Sequence, residues 1–312
     1  MKKLLIVLFV VLVSLLNAQI EWYEEIPVRQ GVNIEWYRSA NAVEGGVVFV
    51  WSDTRTGIRD VWAQKYDVNG NKLWGEEGLL VNGELSRQED PVVIESGNGD
   101  VIIAWVDFRN EDAGDIYAQK VSSDGVLQWD PSGVPLCLHE EIQISLNIVP
   151  DENGGAYVIW LDSRNVGGTD IYGTHIDSNG NIVAGWDADG NPIANESGIQ
   201  NQHTFWEDGT NGAVVAWHDT RDPDDADIYI QRIASNGDLL WDEDGNILTN
   251  ATGPQEKPKI TPDGTGNFIF SWRDMGVDSF GDIKAQRVDL NGNLLWANEV
   301  EVYAGTGIQR NA

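Results

Sequence analysis

The chain has 312 residues, with 50 acidic against 20 basic side chains and a formal net charge of −30. Such a polyanion repels nucleic acid and anionic membrane surfaces, so no nucleic-acid partner is expected. The single cysteine, Cys137 in "VPLCL", has no partner for an internal disulfide. Packing alone must therefore hold the fold, and Cys137 is expected as a small buried apolar side chain.

The first element is "MKKLLIVLFVVLVSLLNAQ". Lys2 and Lys3 precede an apolar run, Leu4 to Leu16, whose 13 residues fall short of the ~20 that span a bilayer. Asn17-Ala18 then ends on a small residue. This order of charge, apolar run and small residue predicts a Sec-type signal peptide over 1–18. No Cys follows as a lipid anchor. Cleavage would leave 294 residues and, with Lys2 and Lys3 gone, a charge of −32. A secreted or cell-surface protein without membrane insertion is the expectation.

Downstream the chain repeats. "VVFVWSDTR" at 47–55 returns as "VIIAWVDFR" at 101–109, "AYVIWLDSR" at 156–164, "AVVAWHDTR" at 213–221 and, more weakly, "FIFSWRDMG" at 268–276. The anchors Trp51, Trp105, Trp160, Trp217 and Trp272 are spaced by 54, 55, 57 and 55 residues. Two residues after each stands an acid: Asp53, Asp107, Asp162, Asp219 and Asp274. A second follows: Asp60, Asp115, Asp170, Asp227 and Asp282. It opens a strand-like run such as "VWAQKYD". Then come Asn69-Gly70, Asp124-Gly125, Asn179-Gly180, Asn236-Gly237 and Asn291-Gly292, which predict type I′ hairpin turns. Trp74, Trp129, Trp186, Trp241 and Trp296 close the hairpins.

One further strand precedes each first Trp, so a unit holds about four short strands and no helical periodicity. Units of ~40–55 residues with four strands are the signature of an all-β propeller. The expected domain is 19–312, with repeats at about 31–82, 83–137, 138–194, 195–250 and 251–305. Ten of the 14 tryptophans occupy the two repeated positions, which assigns them to packing between blades. "IEWYEEIPVRQG" at 20–31 matches "LLWANEVEVYAG" at 294–305. Gln88, Gln143, Gln200 and Gln255 each stand 17 residues before a core Trp, and Gln309 repeats them. Residues 306–312 thus read as the start of a sixth unit or a closing strand. A five-bladed ring with overlapping ends and a fragment of a larger propeller both fit, and the fragment is the expectation.

The pattern W-x-D-x-R, D-I-Y-A-Q, N-G-x-x-L-W resembles a repeat of exported bacterial β-propellers that often carry a type IX secretion sorting domain. The resemblance covers about residues 20–308, and no sorting domain follows in this chain. It implies the architecture and export, not an activity. "SSDGVLQW" (122–129), "DVNGNKLW" (67–74) and "DLNGNLLW" (289–296) more loosely resemble the Asp-box of sialidase-like propellers, with different spacing. In that family the box is structural.

Arg55, Arg109, Arg164 and Arg221 are the candidate ligand-facing side chains, since four guanidinium groups at one mouth hold carboxylates well. Each also has two acids in its own unit, so an Asp–Arg–Asp brace that secures the loop is the expectation. Gly276 replaces the Arg in unit five. "WDADGNP" and "WDEDGNI" make Asp187, Asp189, Asp242 and Asp244 candidate calcium ligands, although neither follows the EF-hand pattern. No other cofactor is implied. The non-repeating Glu24, Glu25, Tyr37 and Glu44 have no linking spacing, and His139, His175, His203 and His218 lack zinc spacing. "NES" at 195–197 is a chance sequon in a bacterial-looking chain. No catalytic residue is assigned. The function expected is a non-enzymatic scaffold that binds a protein or glycan through one face. The alternative is a glycan-active hydrolase of sialidase or glycosidase type. A charged loop that breaks the repeat in one blade would favour the hydrolase. The charged loop residues mostly repeat, which favours the scaffold; unit three departs most, with Thr174 and His175 in "IYGTH", and a special site is expected near it or near "RDPDDAD" at 221–227.

Overall fold

The computed structural model describes residues 34–110, 112–165, 167–276 and 281–304, with side chains from Asn41 onward. The expected signal peptide, the segment 20–31 with Glu24 and Glu25, and residues 306–312 with Gln309 lie outside these. So does the side chain of Tyr37.

The described chain is all strand and turn. Blade one is β1 (Ile34–Val43), β2 (Gly46–Asp53), β3 (Asp60–Asp67) and β4 (Leu79–Asn82). Blade two is β5 (Gln88–Glu95), β6 (Val101–Asp107), β7 (Asp115–Val121) and β8 (Val134–Cys137). Blade three is β9 (Gln143–Pro150), β10 (Ala156–Asp162), β11 (Asp170–Ile176) and β12 (Asn191–Ala194). Blade four is β13 (Gln200–Glu207), β14 (Ala213–Asp219), β15 (Asp227–Ile233) and β16 (Asn246–Thr249). Blade five is β17 (Gln255–Pro262), β18 (Phe268–Asp274), β19 (Asp282–Val288) and β20 (Val300–Tyr303). Each blade is an antiparallel sheet in sequence order, and the five form a β-propeller. First strands neighbour one another in turn, β1 with β5, β5 with β9, β9 with β13 and β13 with β17.

Both faces of a blade are apolar because each packs on a neighbour. The strand β6 is accordingly buried at every residue instead of alternating. Each of four apolar clusters is shared by two adjacent blades. Trp105, Trp160, Trp217 and Trp272 are wholly buried, each against the preceding blade. Removing an indole of roughly 200 Å² from water contributes on the order of 5 kcal/mol before entropy. The second Trp faces forward. Trp74 Nε1 donates to the Ser123 carbonyl at 3.1 Å, Trp129 to Ser178 at 3.2 Å, Trp186 to Ser235 at 2.9 Å and Trp241 to Leu290 at 3.2 Å, each acceptor one blade on. Blade five ends differently. Val302 is 59 % exposed, while its counterparts Val81, Leu136, Ile193 and Leu248 are at most 3 % exposed.

The hairpin turns differ from type I′. Gly70 N–H donates to the Asp67 carbonyl, and Gly125, Gly180, Gly237 and Gly292 repeat the bond. Only the glycine takes a positive φ, 79° at Gly70, and Asn69 does not. This is a type I turn with the glycine in the left-handed region. Asp67 Oδ1 favours it by accepting from Asn69 N–H and Asn71 N–H, both at 2.8 Å. The arm past the turn makes one bridge, Tyr66 to Lys72 in blade one. The chain then turns again, through Asp-x-x-Gly or its equivalent, before the fourth strand.

Candidate active site

The strand register places the two repeated acids face to face: Asp53 opposite Asp60, Asp107 opposite Asp115, Asp162 opposite Asp170, Asp219 opposite Asp227 and Asp274 opposite Asp282. Opposed like charges destabilise a sheet edge, so each pair needs partners.

The first acid has the arginine. Arg109 Nη2 lies 2.6 Å from Asp107 Oδ2, and Arg164 and Arg221 lie 2.7 Å from Asp162 and Asp219. Arg55 pairs with Asp53 in the same way. The indole of the first Trp donates to the same carboxylate, as from Trp160 Nε1 to Asp162 Oδ2 at 2.8 Å. In blade one, burial would raise the Asp53 carboxyl, but bonds from Arg55 and Trp51 hold it below its ordinary value. Each guanidinium also lies 3.8–4.0 Å over the aromatic ring that follows the second acid, Trp62, Tyr117, Tyr172 or Tyr229. It further donates to a carbonyl before the fourth strand: Glu77, Ser132, Asp189 or Asp244. The four arginines are therefore locked within their own blades and do not converge on one mouth.

The second acid is not part of that brace, which corrects the Asp–Arg–Asp expectation. It is capped by the residue after the arginine. Thr56 Oγ1 donates to Asp60 Oδ2. Asn110 Nδ2 donates to Asp115 Oδ2 at 2.6 Å, and Asn165 Nδ2 to Asp170 Oδ2 at 2.7 Å. A neutral donor satisfies the carboxyl without competing with the arginine for the first acid. Burial, opposed by those caps and helped by the facing acid, raises the Asp60 and Asp170 carboxyls.

Blade four breaks this pattern. The capping position holds Asp222, a carboxylate in place of Thr or Asn. Asp227 has no hydrogen-bonding side chain among the described residues and gains like charges instead. Burial first, then Asp225, Asp222 and Asp219, push it up to about 6 against the pull of Arg221. Asp222 is exposed and accepts from Asp224 N–H at 3.0 Å. Asp225 Oδ2 accepts from Gly253 N–H at 3.1 Å, and its Oδ1 is buried without a partner. A second acid pair adjoins the same arginine. Glu196 is raised by a hydrogen bond with Asp244, then by burial. The equivalent contact two blades earlier is neutral-to-acid, from Ser132 Oγ to Glu84 Oε1 at 2.7 Å. Arg221 thus sits among Asp219, Asp227, Glu196 and Asp244. A carboxyl raised to about 6 beside an exposed acid can donate a proton and support a nucleophile. The aligned residues Thr56, Asn110, Asn165 and Asp222 carried the signal that sequence reasoning missed.

The other candidates fall elsewhere. In the calcium turns, Asp187 and Asp242 accept through their carbonyls from Gly190 and Gly245 N–H. Asp189 Oδ1 accepts from Leu138 N–H at 2.9 Å. The carbonyls of Asp189 and Asp244 accept from arginines, so these turns clasp guanidinium groups. Among the described residues no three His, Cys, Asp or Glu side chains gather as a metal site. His175 is a joint between blades: its Nε2 is 3.0 Å from Asp151 Oδ2 and its Nδ1 is 2.9 Å from the Ser235 carbonyl. It replaces Arg232 and Arg287, which pair with Asp208 and Asp263 in the later blades. Glu44 N–H donates to Glu95 Oε1 at 2.8 Å on the surface. Cys137 is buried, and burial pushes its thiol up to about 12. No described helix is long and apolar enough to cross a membrane.

No family model and no curated protein matches the chain. Solved structures do. A protein of unknown function from Dyadobacter fermentans is 12% identical at a TM-score of 0.44, over 90% of this chain and 88% of that one. An exo-1,5-α-L-arabinanase from a bovine ruminal metagenomic library is 12% identical at 0.41, over 83% and 95%. An endo-arabinase from Bacteroides thetaiotaomicron is 12% identical at 0.37, over 85% and 92%. The likeness is one of fold. The expectation of a non-enzymatic scaffold, and the leaning away from an enzyme, are corrected. The named matches include glycan-cleaving enzymes, and a charged loop departs from the repeat in blade four alone among the capped blades.

Proposed function

We propose that the chain is a glycan-active hydrolase of glycosidase type, with its reacting groups on the blade-four loop. One observation carries the reading: Asp222 replaces the neutral cap of the second acid, and burial with the neighbouring acids pushes Asp227 up to about 6. In this scheme Asp227 is the general acid. Its proton passes to the glycosidic oxygen as the bond to the anomeric carbon breaks. Asp222, exposed at the loop, takes a proton from the attacking water. Arg221, locked on Asp219 at 2.7 Å, keeps the first acid from competing for that role. Solved propellers of similar fold are named for cleaving arabinan. Arabinan therefore belongs in the test panel beside acidic polysaccharides. The signal-like segment 1–18 and the resemblance to exported repeat proteins support action outside the cytoplasm.

The test is a reducing-end assay on a panel of plant and bacterial polysaccharides, with Asp227→Asn alongside. The proposal expects wild-type activity on at least one glycan and a loss of about 10²-fold or more in the variant, the usual contribution of a general acid. A folded Asp227→Asn that retains wild-type rates overturns it, as does a wild-type protein inert across the panel.

A further inference from the structure

We propose that the cleft between the first strands of blades four and five binds the carboxylate of an acidic sugar. This extends the hydrolase reading by naming its substrate class, and rests on that reading for the link to catalysis. Gln202 and His203 on β13 and Lys257 and Lys259 on β17 line a cavity of about 220 Å³. At ~30 Å³ per water that is room for about seven waters, the scale of one sugar ring.

The lysines are the anomaly. In a chain of net charge −30, cations find carboxylates readily. Arg273, beside the cleft, holds Glu256 at 2.7 Å, and Arg232 holds Asp208 at 2.7 Å. The ammonium groups of Lys257 and Lys259 have no ion pair or hydrogen bond among the described residues. Two like charges on one short segment repel each other, and neither is neutralised from within. They are also held in place. Bulges interrupt β13 between Asn201 and Thr204 and β17 between Glu256 and Lys259. At these bulges Gln202 has φ 50° and Lys257 has φ 57°. Lys257 N–H donates to Gln202 Oε1 at 2.8 Å, which ties the two bulges together. Bulges of this kind re-aim side chains at functional sites. The equivalent bulge residues in blades two and three, Asp90 and Ser145, bring no cation.

The remaining lining selects among anions. Burial, with the Ser145 backbone opposing and Lys259 assisting, lowers His203 to about 4, so its imidazole is neutral near pH 7. Its Nδ1 is buried without a partner. A neutral ring and the free amide end of Gln202 suit hydroxyl groups. Two ammonium groups suit one carboxylate, and the surrounding negative field disfavours a doubly charged phosphate. A carboxylate with neighbouring hydroxyls is a sugar acid.

The test is calorimetric titration of the full chain with galacturonate and glucuronate, their neutral parent sugars, acetate and inorganic phosphate. Wild type is expected to bind a uronate at least 10-fold more tightly than its neutral parent and than acetate or phosphate. The Lys257→Gln/Lys259→Gln variant is expected to lose at least 10-fold, and Lys257→Arg/Lys259→Arg to keep most of the affinity. Absence of uronate binding overturns the assignment. So do equal binding of the neutral sugars, equal binding of acetate or phosphate (an anion site without sugar preference), or a double Gln variant that is folded by circular dichroism and binds as wild type. Uronate binding by a chain that hydrolyses no glycan would keep this site and remove only the hydrolase reading.

Discussion

Lys284 Nζ lies 2.5 Å from Asp274 Oδ2, supplying from the third strand the cation that an arginine supplies in the other four blades. Gly276 stands where the arginine would be, and a Cβ there would lie 2.0 Å from the Thr252 carbonyl oxygen. The cation moved to the position opposite Trp272, where the other blades carry an aromatic ring. Burial opposes the Lys284 charge, but Asp274 and then Glu299 raise its pKa. Lys284→Met should strand the carboxylate of Asp274, which is 2 % exposed. The expected cost is about 3 kcal/mol in urea unfolding. Adding Asp274→Asn should recover part of it, and strictly additive losses would show that the pair is not coupled.

The turn before the fourth strand makes a second prediction. Gly190 has φ 80°, and a Cβ there would lie 2.4 Å from Trp160 Cη2. Gly133 and Gly245 meet Trp105 and Trp217 at 2.7 and 2.5 Å. The glycine is thus the lid over the buried indole. Gly190→Ala should cost about 1–3 kcal/mol by left-handed strain and overpacking. An unchanged unfolding midpoint would mean the Trp is not confined there.

Much of this was legible because a repeat states each rule five times. Trp51 to Trp272, the Asn-Gly turns and the fourth-strand spacing announced four-stranded blades. The Asp–Arg pairing was legible too, since Asp53 and Arg55 lie two residues apart. The partner of Asp60 was not, because proximity in sequence favoured Arg55 while the register gave the cap to Thr56. The turn type was missed for a similar reason: Asn-Gly permits type I′, but Asp67 stabilises type I. His203 and Lys257 come together only across two blades, at bulges whose positive φ no residue type announced. Asp222 stood in plain sight, and only the role of Thr56, Asn110 and Asn165 gives its charge a meaning.

Asp227→Asn should stabilise the protein above pH 6. A carboxyl whose folded pKa is raised, here to about 6, adds stability at low pH that is lost as pH rises from the unfolded value of ~3.9 through the folded one. The amide carries no such cost. The melting temperature of the variant should therefore exceed that of wild type by on the order of 2 °C at pH 7, and the gap should close towards pH 4. A gap that widens at low pH would contradict the sign.

Asp222→Asn restores the cap found in blades two and three. It should lower the pKa of Asp227 by returning a donor and removing a charge. The basic limb of the pH–rate profile, set by loss of the acid proton, should move to lower pH. The whole profile should also fall by about 10²-fold, because the variant lacks the carboxylate assigned to activate water, so the limb is read on the residual rate. A limb that stays in place would separate Asp222 from the acid.

The most direct test is the titration of Asp227 itself, followed by carboxyl carbon NMR in wild type and Asp222→Asn. The structure predicts a midpoint of about 6 in wild type and a fall towards the ordinary carboxylate range in the variant. A wild-type Asp227 that titrates with the other surface carboxylates would contradict the assignment of a proton donor to blade four.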